Sequence, residues 1–406
     1  MRLWRVATLL IAAAAFPLCA HAQETRAESI EKQRAEKATQ LKAYVPTRLE
    51  QMLLNSEDRN LIARITPHNG FYLQYGYTHK PVGSGLGLSG GWRHDLFDRD
   101  ARIVFEAGQS LRAYQMLRAD FSLPRLMDRK LELGIEGRYD YNPEEDFFGP
   151  GLSSSEDDRS DFLFKAPSVE GRALFKPAKW LNSGARFGWT DVSVEHGRDS
   201  RFPDTQTLFT DAQAPGLVVQ PSFLYSEIFG TIDTRDQPGN TRSGGFYDLR
   251  WRHYSDRDLN RYTFDRLGFD LQQFIPIFDK KRVIALRARL ATTTADQGQE
   301  VPFYFQPALG GHNTLRSVGD FRFRDRNVFS SNIEYRWEAF SGLDMALFSD
   351  FGTVAARFSD LNFSDLRDAY GIGFRFNTFK AVFLRIDIAG GGNDGVHLFI
   401  KFSKVF

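Results

Sequence analysis

The sequence of 406 residues contains a single cysteine, Cys19. So few thiols exclude a disulfide scaffold and a cysteine-ligated zinc site. Charge of one sign is also missing, since 52 Lys+Arg face 51 Asp+Glu. That balance provides no basic field for nucleic acid, and no nucleic-acid partner is expected. Beyond the N-terminal leader, no apolar run approaches the roughly 18 uncharged positions that a spanning helix requires. A bundle of membrane helices is therefore excluded. What is present is 42% hydrophobic and 14% aromatic residues, with 37 Phe and 34 Gly. This is too apolar and too aromatic for a disordered chain.

The first residues have the layout of a secretory signal peptide. Arg2 and Arg5 open it, an apolar run follows from Val6 to Leu18, and small residues Ala20 and Ala22 flank His21. Cleavage is expected between Ala22 and Gln23, assigning residues 1–22 to the leader. A lipoprotein signal at Cys19 fits poorly, because Phe16 and Leu18 occupy positions that favour an aliphatic and a small residue. Residues 24–42 are rich in Glu, Lys, Arg, Gln and Ala and contain no Gly or Pro until Pro46. They read as a solvated helix, so 23–70 is expected to be a short periplasmic helical segment or linker. A helix that docks onto the following domain is the alternative.

From Phe71 onward the period is two. Leu131, Leu133, Ile135, Tyr139 and Tyr141 alternate with Glu132, Glu136, Arg138 and Asp140. Val382, Leu384, Ile386 and Ile388 likewise alternate with Arg385 and Asp387. Successive strand side chains face opposite ways, so each strand has one apolar and one charged wall. Alternation alone fits a soluble sandwich or an outer-membrane barrel equally well. Punctuation favours the barrel. About sixteen segments have the eight to twelve residues that a tilted membrane strand needs. Short links such as 94–100 and 278–282 also alternate with long ones such as 142–160, 196–220 and 292–326. The expected fold is all-β: a 16-stranded antiparallel transmembrane β-barrel over 71–406, with a short N-terminal helical segment. The last strand carries Phe402 and ends on Phe406, aromatics suited to the membrane girdle and to a C-terminal barrel signal.

Three features of the C-terminal half are more specific. A long loop reads Gly310-Gly311-His312-Asn313-Thr314-Leu315-Arg316-Ser317. A strand reads Phe348-Ser349-Asp350-Phe351-Gly352, in which Leu343, Met345 and Leu347 define the outward face and turn Phe348, Asp350 and Gly352 inward. By the same parity Asn332, Glu334 and Arg336 face inward. Together with Asp233-Thr234-Arg235-Asp236 and Phe147-Phe148-Gly149-Pro150-Gly151, these resemble the BamA/TamA-like outer-membrane barrel superfamily, the bacterial surface antigen family, which is related to two-partner-secretion transporters.

The resemblance covers 71–406 and implies that the loop folds into the lumen. Its tip Arg316, beside Leu315, then meets the inward Asp350 of the Phe348, Asp350, Gly352 motif. Ser317 and Val318 stand where the family tip has Gly and an aromatic. The segment before Phe71 is too short for a POTRA domain, so the resemblance is to a short branch lacking them. It implies insertion or translocation of outer-membrane proteins or lipids through a gated barrel. The alternative is a passive channel with a loop-plugged lumen. The expected partners are outer-membrane lipid and possible clients, either unfolded outer-membrane proteins or a periplasmic protein. No cofactor, metal or enzymatic activity is expected. Gly87-Leu88-Ser89-Gly90-Gly91 satisfies G-x-S-x-G, and residues 85–90 satisfy G-x-G-x-x-G, but both fall in a glycine-rich strand pattern with no helix following.

Overall fold

The computed structural model describes residues 69–75, 84–377, 381–391 and 395–402. The expected leader, the cleavage position at Ala22 and Gln23, almost all of the 23–70 segment, and Phe406 lie outside the described residues.

Nineteen strand segments follow one another along the described chain. The first seven are β1 (Gly70–Tyr75), β2 (Gly87–Leu96), β3 (Ala101–Ser110), β4 (Gln115–Arg125), β5 (Leu131–Phe147), β6 (Ser160–Ala178) and β7 (Leu181–Asp191). The short β8 (Ser193–His196) precedes β9 (Ser222–Asp233), β10 (Gly244–Asp256), β11 (Phe264–Ile277) and β12 (Arg282–Thr294). Two-residue strands β13 (Ala308–Leu309) and β14 (Phe323–Arg324) lie inside the next long connection. β15 (Asn327–Phe340), β16 (Leu343–Ala355), β17 (Arg367–Asn377), β18 (Val382–Gly390) and β19 (Val396–Phe402) complete the series.

The long strands pair antiparallel with their neighbours in chain order. The segment count exceeds the expected sixteen for two reasons. Beyond Val192 the chain re-pairs with β6 as β8, and the long loop forms its own β13–β14 pair. Among the described residues, no register joins β1 to β19.

Burial is inverted relative to a water-soluble sheet. The apolar row is bare: Phe187 is 62% exposed, Leu347 53% and Leu398 61%. Charged residues on the opposite face, including Glu106, Asp120, Glu227, Glu334, Asp350 and Asp387, are buried. Water-soluble proteins seldom bury Asp and Glu or bare long apolar rows. No second sheet covers the apolar face among the described residues, which removes the soluble-sandwich reading. An apolar wall facing lipid and a charged wall facing inward account for the pattern.

The two ends of the strands differ. At one end three turns share an apolar-Asp-basic spelling: Phe97-Asp98-Arg99, Met127-Asp128-Arg129 and Phe278-Asp279-Lys280. All nine residues have positive φ, between 49° and 77°. Asp at the centre tolerates the left-handed region, and the apolar member projects at the rim, as Phe97 does at 78% exposure. The longest connection at this end, residues 234–243, reaches across to other strands. Arg242 Nη2 donates to both oxygens of Asp344 on β16, at 2.9 and 2.7 Å. The Val382 N–H donates to the Gly239 carbonyl at 2.9 Å, and Lys280 Nζ to Asp236 at 3.0 Å. The opposite end carries the long loops and is filled by an aromatic core in which Phe147, Phe162, Phe223, Tyr254, Phe264 and Phe303 are buried together.

Candidate functional site

The connection from β12 to β15 folds onto the inner wall of the sheet. Its ascending part is apolar: the turn Phe303–Phe305 enters the aromatic core, with the Phe303 ring 5.0 Å from that of Phe147 and 4.9 Å from that of Phe162. The chain then pairs with itself, Ala308 with Arg324 and Leu309 with Phe323. This short ladder projects residues 310–322 as a tip. Gly310 and Gly311 have φ of 136° and 80°, and a Cβ at Gly310 would sit 2.2 Å from the Gly319 carbonyl oxygen. Only glycine permits so close a backbone approach in that conformation.

Leu315, Arg316 and Ser317 are buried at the tip. Leu315 is buried in a cluster with Leu309, Val318, Phe323, Val328, Val354 and Ala369. Arg316, 1% exposed, lies against β15 to β18. Its Nε donates to Asp350 Oδ2 at 2.7 Å, its Nη2 to Oδ1 at 2.6 Å, and its own backbone N–H to Oδ2 at 3.2 Å. This is the two-pronged guanidinium-carboxylate geometry, the strong form of a charge-assisted bond. Nη1 continues to Glu334 Oε1 at 2.7 Å and to Asp387 Oδ2 at 3.4 Å. The face of the guanidinium covers Phe348, 3.4 Å from the ring centroid, giving that aromatic a cation-π role.

Around this contact, charges alternate. Glu334 also receives Arg336 at 2.7 Å, Arg375 at 3.3 Å and Arg385 at 3.4 Å. Asp387 receives Arg375 at 2.5 Å and Arg385 at 2.6 Å. Asn332 Nδ2 ties the Thr314 carbonyl to Asp350 Oδ1, both at 2.8 Å. Burial opposes the charge of Arg316, but Glu334 and Asp350 outweigh it, so its pKa stands above the ordinary arginine value. Every carboxylate in the cluster is engaged by guanidinium groups. The arrangement can clamp a loop, but it offers no free carboxylate to act as base or acid.

The structure thus brings together Leu315, Arg316, Phe348, Asp350, Glu334 and Arg336. Gly352 contributes by having no side chain, because a Cβ there would lie 2.6 Å from Leu309 Cδ1. Ser317, at the position of the family's Gly, is not among the residues with positive φ. Its hydroxyl instead donates to the Asp368 carbonyl at 2.8 Å and pins the tip to β17. Phe402 closes β19 opposite Leu384 and stands apart from this site. The sequence motifs did not single out Arg375, Arg385 and Asp387. Their signal was available in parity, since Arg385 and Asp387 belong to the charged wall of β18. The Gly87 to Gly91 motifs lie within β2, with Ser89 buried. Among the described residues, no group of three or more His, Cys, Asp or Glu is arranged to hold a metal ion.

The Phe147 to Gly151 motif supports the same loop. The Gly151 N–H donates to the Arg324 carbonyl at 2.9 Å, and Pro150 bridges Arg324 in parallel.

Comparison with known proteins gives a family and a fold. A model described as the Omp85 superfamily domain matches residues 187–394, a little over half of the chain. Among solved structures, BamA from Haemophilus ducreyi lacking POTRA domains 1-3 is similar at 16% identity and a TM-score of 0.62, over 82% of this chain and 69% of that one. CdiB from Acinetobacter baumannii is 11% identical with a TM-score of 0.48, over 82% of this chain and 58% of that one. CdiB from Escherichia coli is 11% identical with a TM-score of 0.49, over 82% and 62%. At these identities the BamA likeness is one of fold, and the two CdiB likenesses are too slight to build on. No curated protein matches the sequence.

Proposed function

The chain belongs to the Omp85 superfamily of outer-membrane insertion and translocation barrels, and from this we propose that it moves protein or lipid into or across the outer membrane through a barrel gated by the loop between β12 and β15. The observation that carries the reading is the buried grip of Arg316 on Asp350 and Glu334. A loop fixed so deep against the inner wall occupies the space through which a passive pore would conduct. The edges add support: β1 pairs with β2 and β19 with β18, and among the described residues no register joins β1 to β19. An edge strand can template an incoming strand through its backbone groups. In this reading the protein catalyses no reaction, and its partners are outer-membrane lipid and unfolded or periplasmic proteins.

One observation favours a passive channel instead. A chamber of about 670 Å³ lies inside the sheet, lined by Arg186, Arg250, Arg252, Glu227 and Asp270 among others, as the wall of a solute-selective pore would be. Single-channel conductance of the purified protein in planar bilayers, wild type against Asp350→Ala, separates the two. A low, flickering wild-type signal that becomes large in the variant supports the gated barrel. Equal, steady conductance in both favours the channel. Cysteine crosslinks between β1 and β19 that leave client insertion intact argue against an opening seam.

A further inference from the structure

The arginines of the loop-facing wall are not all neutralised as Arg316 is. A cavity of about 340 Å³ lies between the β13–β14 hairpin and the inner wall, and Arg266, Arg289 and Arg324 line it. Arg324 is buried, 3% exposed. Its Nη1 donates to the Phe303 carbonyl at 3.0 Å, while Nε and Nη2 have no hydrogen-bond partner. The nearest carboxylate, Glu145, stands 4.0 Å from Nη2 and already accepts from Asn142 at 2.7 Å. Arg266 reaches the Phe305 carbonyl at 3.4 Å, and no carboxylate among the described residues pairs with it. Arg289 lies 3.9 Å from Asp270, whose two oxygens are taken by Arg287 at 2.9 and 2.5 Å.

Three guanidinium groups therefore line one cavity with no carboxylate hydrogen-bonded to any of them, although the carboxylates of Glu145 and Asp320 line it too. Leaving a buried charge and its N–H donors unmatched is costly, so such groups ordinarily have an acceptor. Burial lowers the pKa of Arg324, Glu145 works against this, and the neighbouring charge of Arg266 lowers it further. Arginine does not release its proton at physiological pH, so a counter-ion is the available remedy. A single carboxylate brings one charge and one fork. A phosphate-bearing anion brings up to two charges and several acceptor oxygens, which suits planar N–H forks arriving from different elements.

We propose that this cavity binds a small phosphate-bearing anion on Arg266, Arg289 and Arg324. The anion ties β11 and β12 to the β13–β14 hairpin, so its occupancy reports on the position of the loop. The phosphate comes either from a soluble anion or from a lipid headgroup. The site does not depend on the transport reading above, because binding is read without any transport.

The test is calorimetric titration of the full chain in detergent at fixed ionic strength, with inorganic pyrophosphate and with dihexanoyl phosphatidic acid as separate probes. Saturable binding of either, weakened at least tenfold in Arg289→Gln and in Arg266→Gln, supports the site. Arg201→Gln, on an exposed loop, is expected to leave binding unchanged. Pyrophosphate alone identifies a soluble anion, and phosphatidic acid alone identifies a headgroup. Binding of neither probe overturns the proposal, as does affinity that is the same in Arg289→Gln and Arg266→Gln as in wild type. Arg324→Gln removes buried donors and is at risk of misfolding. Arg289, 39% exposed, keeps the question decidable.

Discussion

One loop is held at two places by opposite means. Its ascending half sinks Phe303, Tyr304 and Phe305 into an aromatic core built from β5, β6, β9, β10 and β11, where contacts are edge-on or stacked rings 4.7 to 6.3 Å apart. Its tip sinks Arg316 into alternating charge on β15 to β18. The aromatic anchor gains from area removed from water and from ring geometry, has no preferred partner, and tolerates salt. The ionic anchor gains little net energy, because desolvation offsets most of the attraction, but one missing member leaves a buried charge unmatched. An apolar anchor is suited to permanence, and an ionic one to a position that is specified sharply and lost abruptly.

The sharpest way to break the comparison is at Asp350. Asp350→Ala leaves Arg316 buried without its two-pronged partner and is expected to cost about 3–5 kcal/mol in denaturant unfolding. Arg316→Ala is expected to cost about as much, because Arg336, Arg375 and Arg385 still cover Glu334 and Asp387 but the buried Asp350 keeps only the Asn332 amide. The double variant should then fall well short of the sum of the singles. Additive losses would mean that the two side chains do not act as a pair.

Phe303→Ala tests the other anchor. A buried phenylalanine removed from a packed core costs about 3 kcal/mol or somewhat more. The expected distinction is that this loss is the same in low and high salt, while the loss at Asp350 varies with salt. A smaller effect is expected at Gly352, where a valine would collide with Leu309 and lift the hairpin. Gly352→Val should cost about 1–3 kcal/mol and accelerate proteolysis within 310–322.

The smallest effect concerns the strap at the far end. Burial raises the pKa of Asp236, but the backbone N–H groups of Arg242 and Ser243 and the ammonium of Lys280 outweigh it, so the folded value lies below the ordinary one. Its contribution is therefore complete above the usual carboxylate range and fades as pH falls below about 4, toward the depressed folded value. The midpoint temperature of wild type should drop more than that of Asp236→Asn between pH 5 and pH 2.5. Parallel curves would remove Asp236 from the account.

Much of this was legible in residue order. Parity along β16 placed Phe348, Asp350 and Gly352 on the inner wall, and family resemblance connected Leu315 and Arg316 to them. The same parity on β18 put Arg385 and Asp387 inward, but it did not indicate which inward charges meet. Arg375 and Asp387 face each other because β17 and β18 are adjacent, while Glu334 joins them from β15, two strands away from β17. The aromatic core was less legible still. Pro302-Phe303-Tyr304-Phe305 sits within a loop, where no periodicity marks a buried cluster, and its ring partners lie up to 156 positions away at Phe147.

The sequence by itself determined the strands, their two-faced character and their short and long connections, because a period of two fixes which side chains share a wall. Strand length and connection length favoured a sheet with an apolar outer face, and the burial pattern decided it. Only the tertiary structure decided which charges on that inner wall become partners, which arginines remain unmatched, and how deep the loop tip rests. Pairing of charges depends on distances between strands that are remote in sequence, and a one-dimensional pattern does not contain those distances.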